Sequence, residues 1–157
     1  MSTLYVVATP IGNLSDISQR ATEILSTVST VAAEDTRVSR KLLNHIGVSP
    51  HLESLHEHTS PERLQSLVEK LELGDMAVVS DAGTPGISDP GSSLVAAAVE
   101  AGHDVIPLPG PSAIVSALSI TGWSFDRFLF LGFLPRKKKD QLTTLNNAAH
   151  EPGPLVA

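Results

Sequence analysis

Short apolar runs recur along this 157-residue chain, and each ends in a turn that feeds a helical pattern. Residues 4–8 are followed by a helical pattern over 16–27, residues 28–33 by one over 38–46 closed by Gly47, and a short extended run at 52–55 by a helix that starts at Ser60-Pro61 and ends near Gly74. The run 76–80 then leads to a helix from Pro90 to Gly102, and 104–107 to an Ala/Ile/Val/Leu helix that reaches Ile120. Strands that alternate with helices must pair in parallel, because each helix carries the chain back across one face of the sheet. The expected fold class is therefore α/β, a mostly parallel sheet with helices on both faces. A composition of 41% hydrophobic but only 4% aromatic residues fits an aliphatic interior of that kind.

Beyond Gly122 the pattern changes. Residues 127–133 read as a further strand, Pro135 marks a boundary, and 138–149 read as a helix. The chain stops at Pro154-Leu155-Val156-Ala157, which reads as the first residues of a strand with nothing left to pair with. The expectation is an N-terminal α/β domain over 1–122 and, over 123–157, a linker and the truncated start of a second α/β domain. The absence of cysteine leaves no disulfide framework and no thiolate zinc site. No basic leader precedes the first strand and no apolar run approaches membrane-spanning length, so the chain reads as soluble and cytoplasmic.

The most restricted segment is Ser80-Asp81-Ala82-Gly83-Thr84-Pro85-Gly86-Ile87-Ser88-Asp89-Pro90-Gly91. Three glycines and two prolines between Gly83 and Gly91 remove side-chain bulk and fix φ, leaving backbone N–H and C=O groups open to a bound molecule. Asp89 reads as a helix cap with Pro90 at the first helical position. A loop at the carboxyl end of a strand that feeds a helix is where open α/β sheets bind ligands. Three more loops share that edge. Ala8-Thr9-Pro10-Ile11-Gly12-Asn13-Leu14 lacks the glycine and lysine patterns of dinucleotide and P-loop sites, but Pro10 holds the chain extended and Asn13 brings an amide within reach; a plain connecting turn is the other reading. Glu34-Asp35-Thr36-Arg37 places two carboxylates and a guanidinium there, read either as a helix cap with a salt-bridge partner or as substrate orientation and proton acceptance. Pro107-Leu108-Pro109-Gly110-Pro111-Ser112-Ala113 is stiffened by three prolines.

The net charge of −6 argues against a broad polyanion-binding surface. Residues 1–135 carry 7 basic and 15 acidic residues, whereas 136–157 carry 4 and 2. Arg136-Lys137-Lys138-Lys139 makes the difference, read as a solvated helix start or as phosphate contacts. His51, His56 and His58, with Glu53 and Glu57 between them, invite a metal reading. Strand alternation puts His56 and His58 on one face without His51, so surface or hydrogen-bonding histidines are expected and no metal. Trp123 and Phe125 are expected to pack at a domain edge.

At these residues the chain resembles the tetrapyrrole methylase superfamily, and within it the branch that methylates the ribose 2′ hydroxyl of a decoding-region cytidine in small-subunit ribosomal RNA. The resemblance rests on Thr9-Pro10-Ile11-Gly12-Asn13-Leu14, Ala33-Glu34-Asp35-Thr36-Arg37, Ser80-Asp81-Ala82-Gly83-Thr84-Pro85 with Asp89-Pro90-Gly91, Pro107-Leu108-Pro109-Gly110-Pro111, and Gly132-Phe133-Leu134-Pro135. It implies S-adenosylmethionine bound, folded back on itself, between an N-terminal and a second α/β domain, in a homodimer. Pro10, Ala82, Gly83, Thr84, Ile87, Ser112 and Ala113 match the positions that line the cofactor. Ser88 stands where some relatives carry asparagine, and Ser112 where some carry cysteine. Glu34 or Asp35 is the candidate base or orienting group, and Asn13, Arg37, Arg40 and Lys41 are candidate contacts to ribosomal RNA or the small ribosomal subunit. Carbon methylation of a tetrapyrrole on the same fold, and an inert fragment that only dimerises or docks, are the alternatives.

Overall fold

Continuous apolar runs become parallel strands here because both of their faces are covered. In the computed structural model, which describes residues 2–157, β1 (Thr3–Val7), β2 (Thr30–Ala33), β3 (His51–Ser54), β4 (Met76–Val79) and β5 (Asp104–Leu108) form one sheet. Its order is β3-β2-β4-β1-β5, and every neighbouring pair is parallel. The helices between the strands are α1 (Gln19–Thr27), α2 (Thr36–His45), α3 (Pro61–Glu72) and α4 (Gly91–Glu100).

The strand period of two sorts the core. Ala21 and Leu25 of α1 and Leu43 of α2 pack with Val7, Val31, Ala33, Ala77 and Val79. Leu67 and Leu71 of α3 and Leu94 and Ala98 of α4 pack with Leu4, Ala32, Met76 and Val78 on the opposite face. Each fully buried leucine contributes roughly 1.5–3 kcal/mol of transfer free energy. The α/β reading with helices on both faces therefore holds. Among the described residues, no helix is long and apolar enough to cross a membrane.

Contacts divide the chain into two units, Met1–Ser112 and Ala113–Ala157. The second contains α5 (Ala113–Ser119), β6 (Leu129–Phe130), α6 (Lys138–Ala148) and β7 (Leu155–Val156). The division falls before α5, in which no residue is buried, rather than at Gly122. The terminal apolar run does have a partner: β7 pairs in parallel with β6, Leu129 opposite Leu155 and Phe130 opposite Val156. A strand of two residues is all that survives of the expected 127–133 run. Trp123 is 68% exposed rather than packed, while Phe125 is half-buried.

Local capping moves other boundaries. The expected helix over 16–27 is two pieces, a 3₁₀ turn at Leu14–Asp16 and then α1, because Ile17 and Ser18 are extended and the Ser18 hydroxyl accepts the Ala21 N–H. Helix α4 begins at Gly91 with Pro90, not Asp89, at its cap. Strand β3 ends at Ser54, so His56 and His58 lie in the following turn and strand alternation does not govern them.

Candidate functional site

Register brings the strand ends level. Ser54, Ala33, Val79, Val7 and Leu108 form one row across the five strands, so the chain leaves the sheet at a single edge. The connections after β1 and β2 run to one face and the connection after β4 to the other. Strand β4 lies between β1 and β2, so the crevice where adjacent connections diverge opens above it.

Hydrogen bonds join the loops at this edge. Thr9 and Gly83 exchange both backbone bonds, N–H to O distances of 2.9 and 3.1 Å, as an isolated antiparallel bridge. The buried Thr9 hydroxyl also donates to the carbonyls of Ser80 at 3.1 Å and Gly83 at 3.4 Å, and the Ser80 hydroxyl donates to Gly83 at 3.3 Å. Gly83 therefore has no free N–H to offer a ligand, although a backbone open to a ligand was expected there. What it supplies is conformation: φ is +88°, a region open to glycine. The Asp35 N–H donates to Asp81 Oδ1 at 3.0 Å, tying the β2 loop to the β4 loop. The β5 loop meets the β1 loop where Gly110 lies against Ala8, since a Cβ on Gly110 would stand 2.9 Å from that of Ala8.

Asp89 closes its loop onto the start of α4. Its Oδ1 accepts the N–H groups of Gly86 at 2.5 Å and Gly91 at 3.1 Å, closing the turn around Ile87 and Ser88. Ser88 is the one described non-glycine residue with positive φ, at 63°.

Burial and charge divide the two adjacent carboxylates. Burial pushes Glu34 above the ordinary glutamate value, and the negative charge of Asp81, then those of Asp89 and Asp35, push the same way. Asp35 goes down to about 2, chiefly because the Arg37 side chain donates to it, at 2.6 to 3.2 Å, along with the Arg37 backbone N–H at 2.8 Å. Asp35 thus caps α2 and pairs with Arg37, as its structural reading expected.

The remaining candidates fall as follows. Pro10 and Gly83 are buried, Thr84 and Ser112 half-buried, and Ala82 and Ile87 exposed, all within the first unit. Ala113 opens the second unit at the start of α5. Asn13 spends its side-chain oxygen on the Ser15 N–H at 3.0 Å, while Arg40 and Lys41 stand exposed on α2. Asp81 and Thr9, which hold the loops together, were not among the candidate site residues; the signal available was their place immediately after the strands.

Two features lie elsewhere. A cavity of about 380 Å³ opens at the amino ends of β2 and β3, lined by Leu25, Val28, Ser29, Val48, Pro50 and His51 among others, and contains none of the candidate residues. Glu53, 7% exposed, accepts from Arg63 and Lys70 and from His51 Nε2 at 2.9 Å. Among the described residues, no group of three or more His, Asp or Glu is arranged to hold a metal ion.

The family model described as Tetrapyrrole (Corrin/Porphyrin) Methylases matches residues 3–157. Proteins named Ribosomal RNA small subunit methyltransferase I are similar over nearly the whole chain. That of Escherichia coli O157:H7 is 49% identical over 154 residues, 98% of this chain and 54% of that protein. That of Haemophilus influenzae is 51% identical over 154 residues, 98% and 54% of the respective lengths. That of Synechocystis sp. is 49% identical over 157 residues, 99% and 56%. The chain spans about half the length of these relatives.

Proposed function

The chain belongs to the tetrapyrrole methylase family, and from that premise we propose that it serves S-adenosylmethionine-dependent methylation of small-subunit ribosomal RNA, at the ribose 2′ hydroxyl of a cytidine. The observation that carries this reading is the hydrogen-bonded edge formed by Thr9, Gly83, Asp35 and Asp81, in a chain about half identical to proteins named as methyltransferases of small-subunit ribosomal RNA. The cofactor supplies an electrophilic methyl group. The residues present fit it by their chemistry: Glu34, Asp81 and Asp89 suit its cationic groups, and exposed Ile11 and Ile87 suit its apolar parts. Pro10, Ala82, Gly83, Thr84, Ile87, Ser112 and Ala113 line it in this proposal. The same reading takes 1–122 as the cofactor-binding domain and 123–157 as the start of a second, in a cytoplasmic homodimer.

A ribose hydroxyl is a poor nucleophile until its proton is accepted. Glu34 is the acceptor in this scheme, because a carboxylate raised by burial and neighbouring charge holds a proton better than Asp35 at about 2. Asp35 orients Arg37, which with Asn13, Arg40 and Lys41 meets the RNA. The 2′ hydroxyl itself marks RNA over DNA.

Methyl transfer to small subunits by the full-length protein tests the scheme, the product being read as resistance to alkaline cleavage at one cytidine. Glu34→Gln is expected to lower kcat by about 100- to 10,000-fold, the usual worth of a general base. In the unmodified protein kcat should fall as pH drops through the raised Glu34 pKa. Unchanged turnover in both Glu34→Gln and Asp35→Asn would remove the role, and an optical titration by tetrapyrrole without salt-dependent RNA binding would replace the substrate.

A further inference from the structure

We propose that the second unit carries a docking strip for single-stranded RNA, made of Arg136, Lys137, Lys138 and Lys139 with the exposed ring of Phe133 beside them in the chain. This rests on the ribosomal RNA reading and names a contact separate from the loops that hold the cofactor in that reading. All four cations are exposed, and among the described residues none of them is in an ion pair. Helix stability does not explain the run. Helix α6 begins at Lys138, its cap Lys137 makes no side-chain hydrogen bond, and cations at the positive end of a helix dipole are disfavoured, with Asp140 the one opposing charge in the first turn.

Charge and aromatic content point the same way. Residues 1–112 carry 6 basic and 14 acidic residues, so a polyanion is repelled by most of the chain and drawn to this strip. Phe133 is 86% exposed, and Trp123 in the same unit 68%. Backbone phosphates on a run of cations, with a base stacked on a neighbouring ring, is the chemistry of single-strand binding.

The test is fluorescence anisotropy of a labelled single-stranded oligoribonucleotide with the full-length protein, across a series of salt concentrations. Replacing Arg136, Lys137, Lys138 and Lys139 together by Gln is expected to weaken binding. It should also flatten the slope of log affinity against log salt by roughly 2 to 3, about 0.7 for each phosphate that is no longer neutralised. Phe133→Ala should weaken binding by about 5- to 150-fold with the slope unchanged, as removal of one stacked base does. Melting temperature and S-adenosylmethionine affinity, read by calorimetry, should stay at the parent values in both variants. Unchanged affinity and slope in the charge variant would overturn the strip, as would a changed oligomeric state in its place, while retained methyl transfer would leave the functional reading standing. Unchanged affinity in Phe133→Ala would overturn the stacking contact. Parent protein that binds no RNA and transfers no methyl group would remove both.

Discussion

The two units are made of different material. Met1–Ser112 holds a single aromatic residue, Tyr5, and an aliphatic core on both faces of a five-stranded sheet. Ala113–Ala157 holds Trp123 and all four phenylalanines, yet Ala148 is its one buried hydrophobic residue among those described. The first unit buries most of its aliphatic groups against the sheet. The second buries none of its aromatic rings fully and leaves Trp123, Phe128, Phe133 and its cations exposed. Stability and site geometry are thus expected to reside in the first unit, and surface chemistry in the second.

Core truncation tests this most strongly. Leu67 is fully buried between α3 and the sheet, so Leu67→Ala should cost about 2–5 kcal/mol in denaturant unfolding. Phe133→Ala removes a larger side chain that touches mostly solvent and should stay within about 0.5 kcal/mol. Equal losses would dissolve the comparison.

Glu53 gives the next effect, because a nearly buried carboxylate is surrounded by cations. Its burial acts to raise the pKa, but hydrogen bonds from Lys70 and Arg63, and then their charges, outweigh it and hold the group at about 2. A folded-state pKa below the unfolded value means that the contribution is complete above the ordinary glutamate range and is lost as pH falls from there towards 2. Glu53→Gln should cost roughly 1–3 kcal/mol at neutral pH. The difference from the parent should shrink steadily in acid unfolding curves below about pH 4.5.

Thr9 is a smaller case with a clearer link to the site. Thr9→Val keeps the shape and the backbone bridge but removes the hydroxyl that donates to Ser80 and Gly83. A loss of about 0.5–1.5 kcal/mol is expected, with weaker S-adenosylmethionine binding in the full-length protein. Thr9→Ser should restore both; a Ser variant as weak as the Val one would mean that the hydroxyl bonds alone do not account for the loss.

These cases also show what a linear sequence can and cannot display. The first unit was legible because buried parallel strands are written as continuous apolar runs and the site loops as glycine and proline. The alternation of strands and helices was enough to put the four loops at one edge. Their connections could not be read in that way, since Thr9 and Gly83 are 74 residues apart and Asp35 and Asp81 are 46 apart. The Glu53 cluster was hidden for the same reason: Lys70 is 17 residues away, on a helix that the strand meets only after folding. Asp89 was legible in part: it does accept the N–H of Gly91, the first residue of α4, but the bond from Gly86, by which the same oxygen closes the loop, had no signal in the sequence. In the second unit, the apolar run at 154–157 was legible as a strand start, but nothing local to it told of its partner β6, which lies before α6 in the chain.

The smallest expected effect concerns Ser88, whose φ of 63° sits in the left-handed region. An L-residue there costs roughly 1–2 kcal/mol, and asparagine tolerates the region better than serine does. Glycine removes the strain but adds freedom to the unfolded chain, so Ser88→Gly should gain only about 0.5–1 kcal/mol. Ser88→Asn should gain a comparable amount because it adds no such freedom. Ser88→Val should lose stability, being β-branched at positive φ. The bonds from Gly86 and Gly91 to Asp89 close the turn on either side of Ser88, so the serine is carried at a strained angle by the loop that flanks it. If Gly and Asn both leave stability unchanged in denaturant unfolding, the strain is absent from the folded protein, and the contrast between a first unit that holds a shaped edge and a second that exposes its rings weakens at the loop where it matters most.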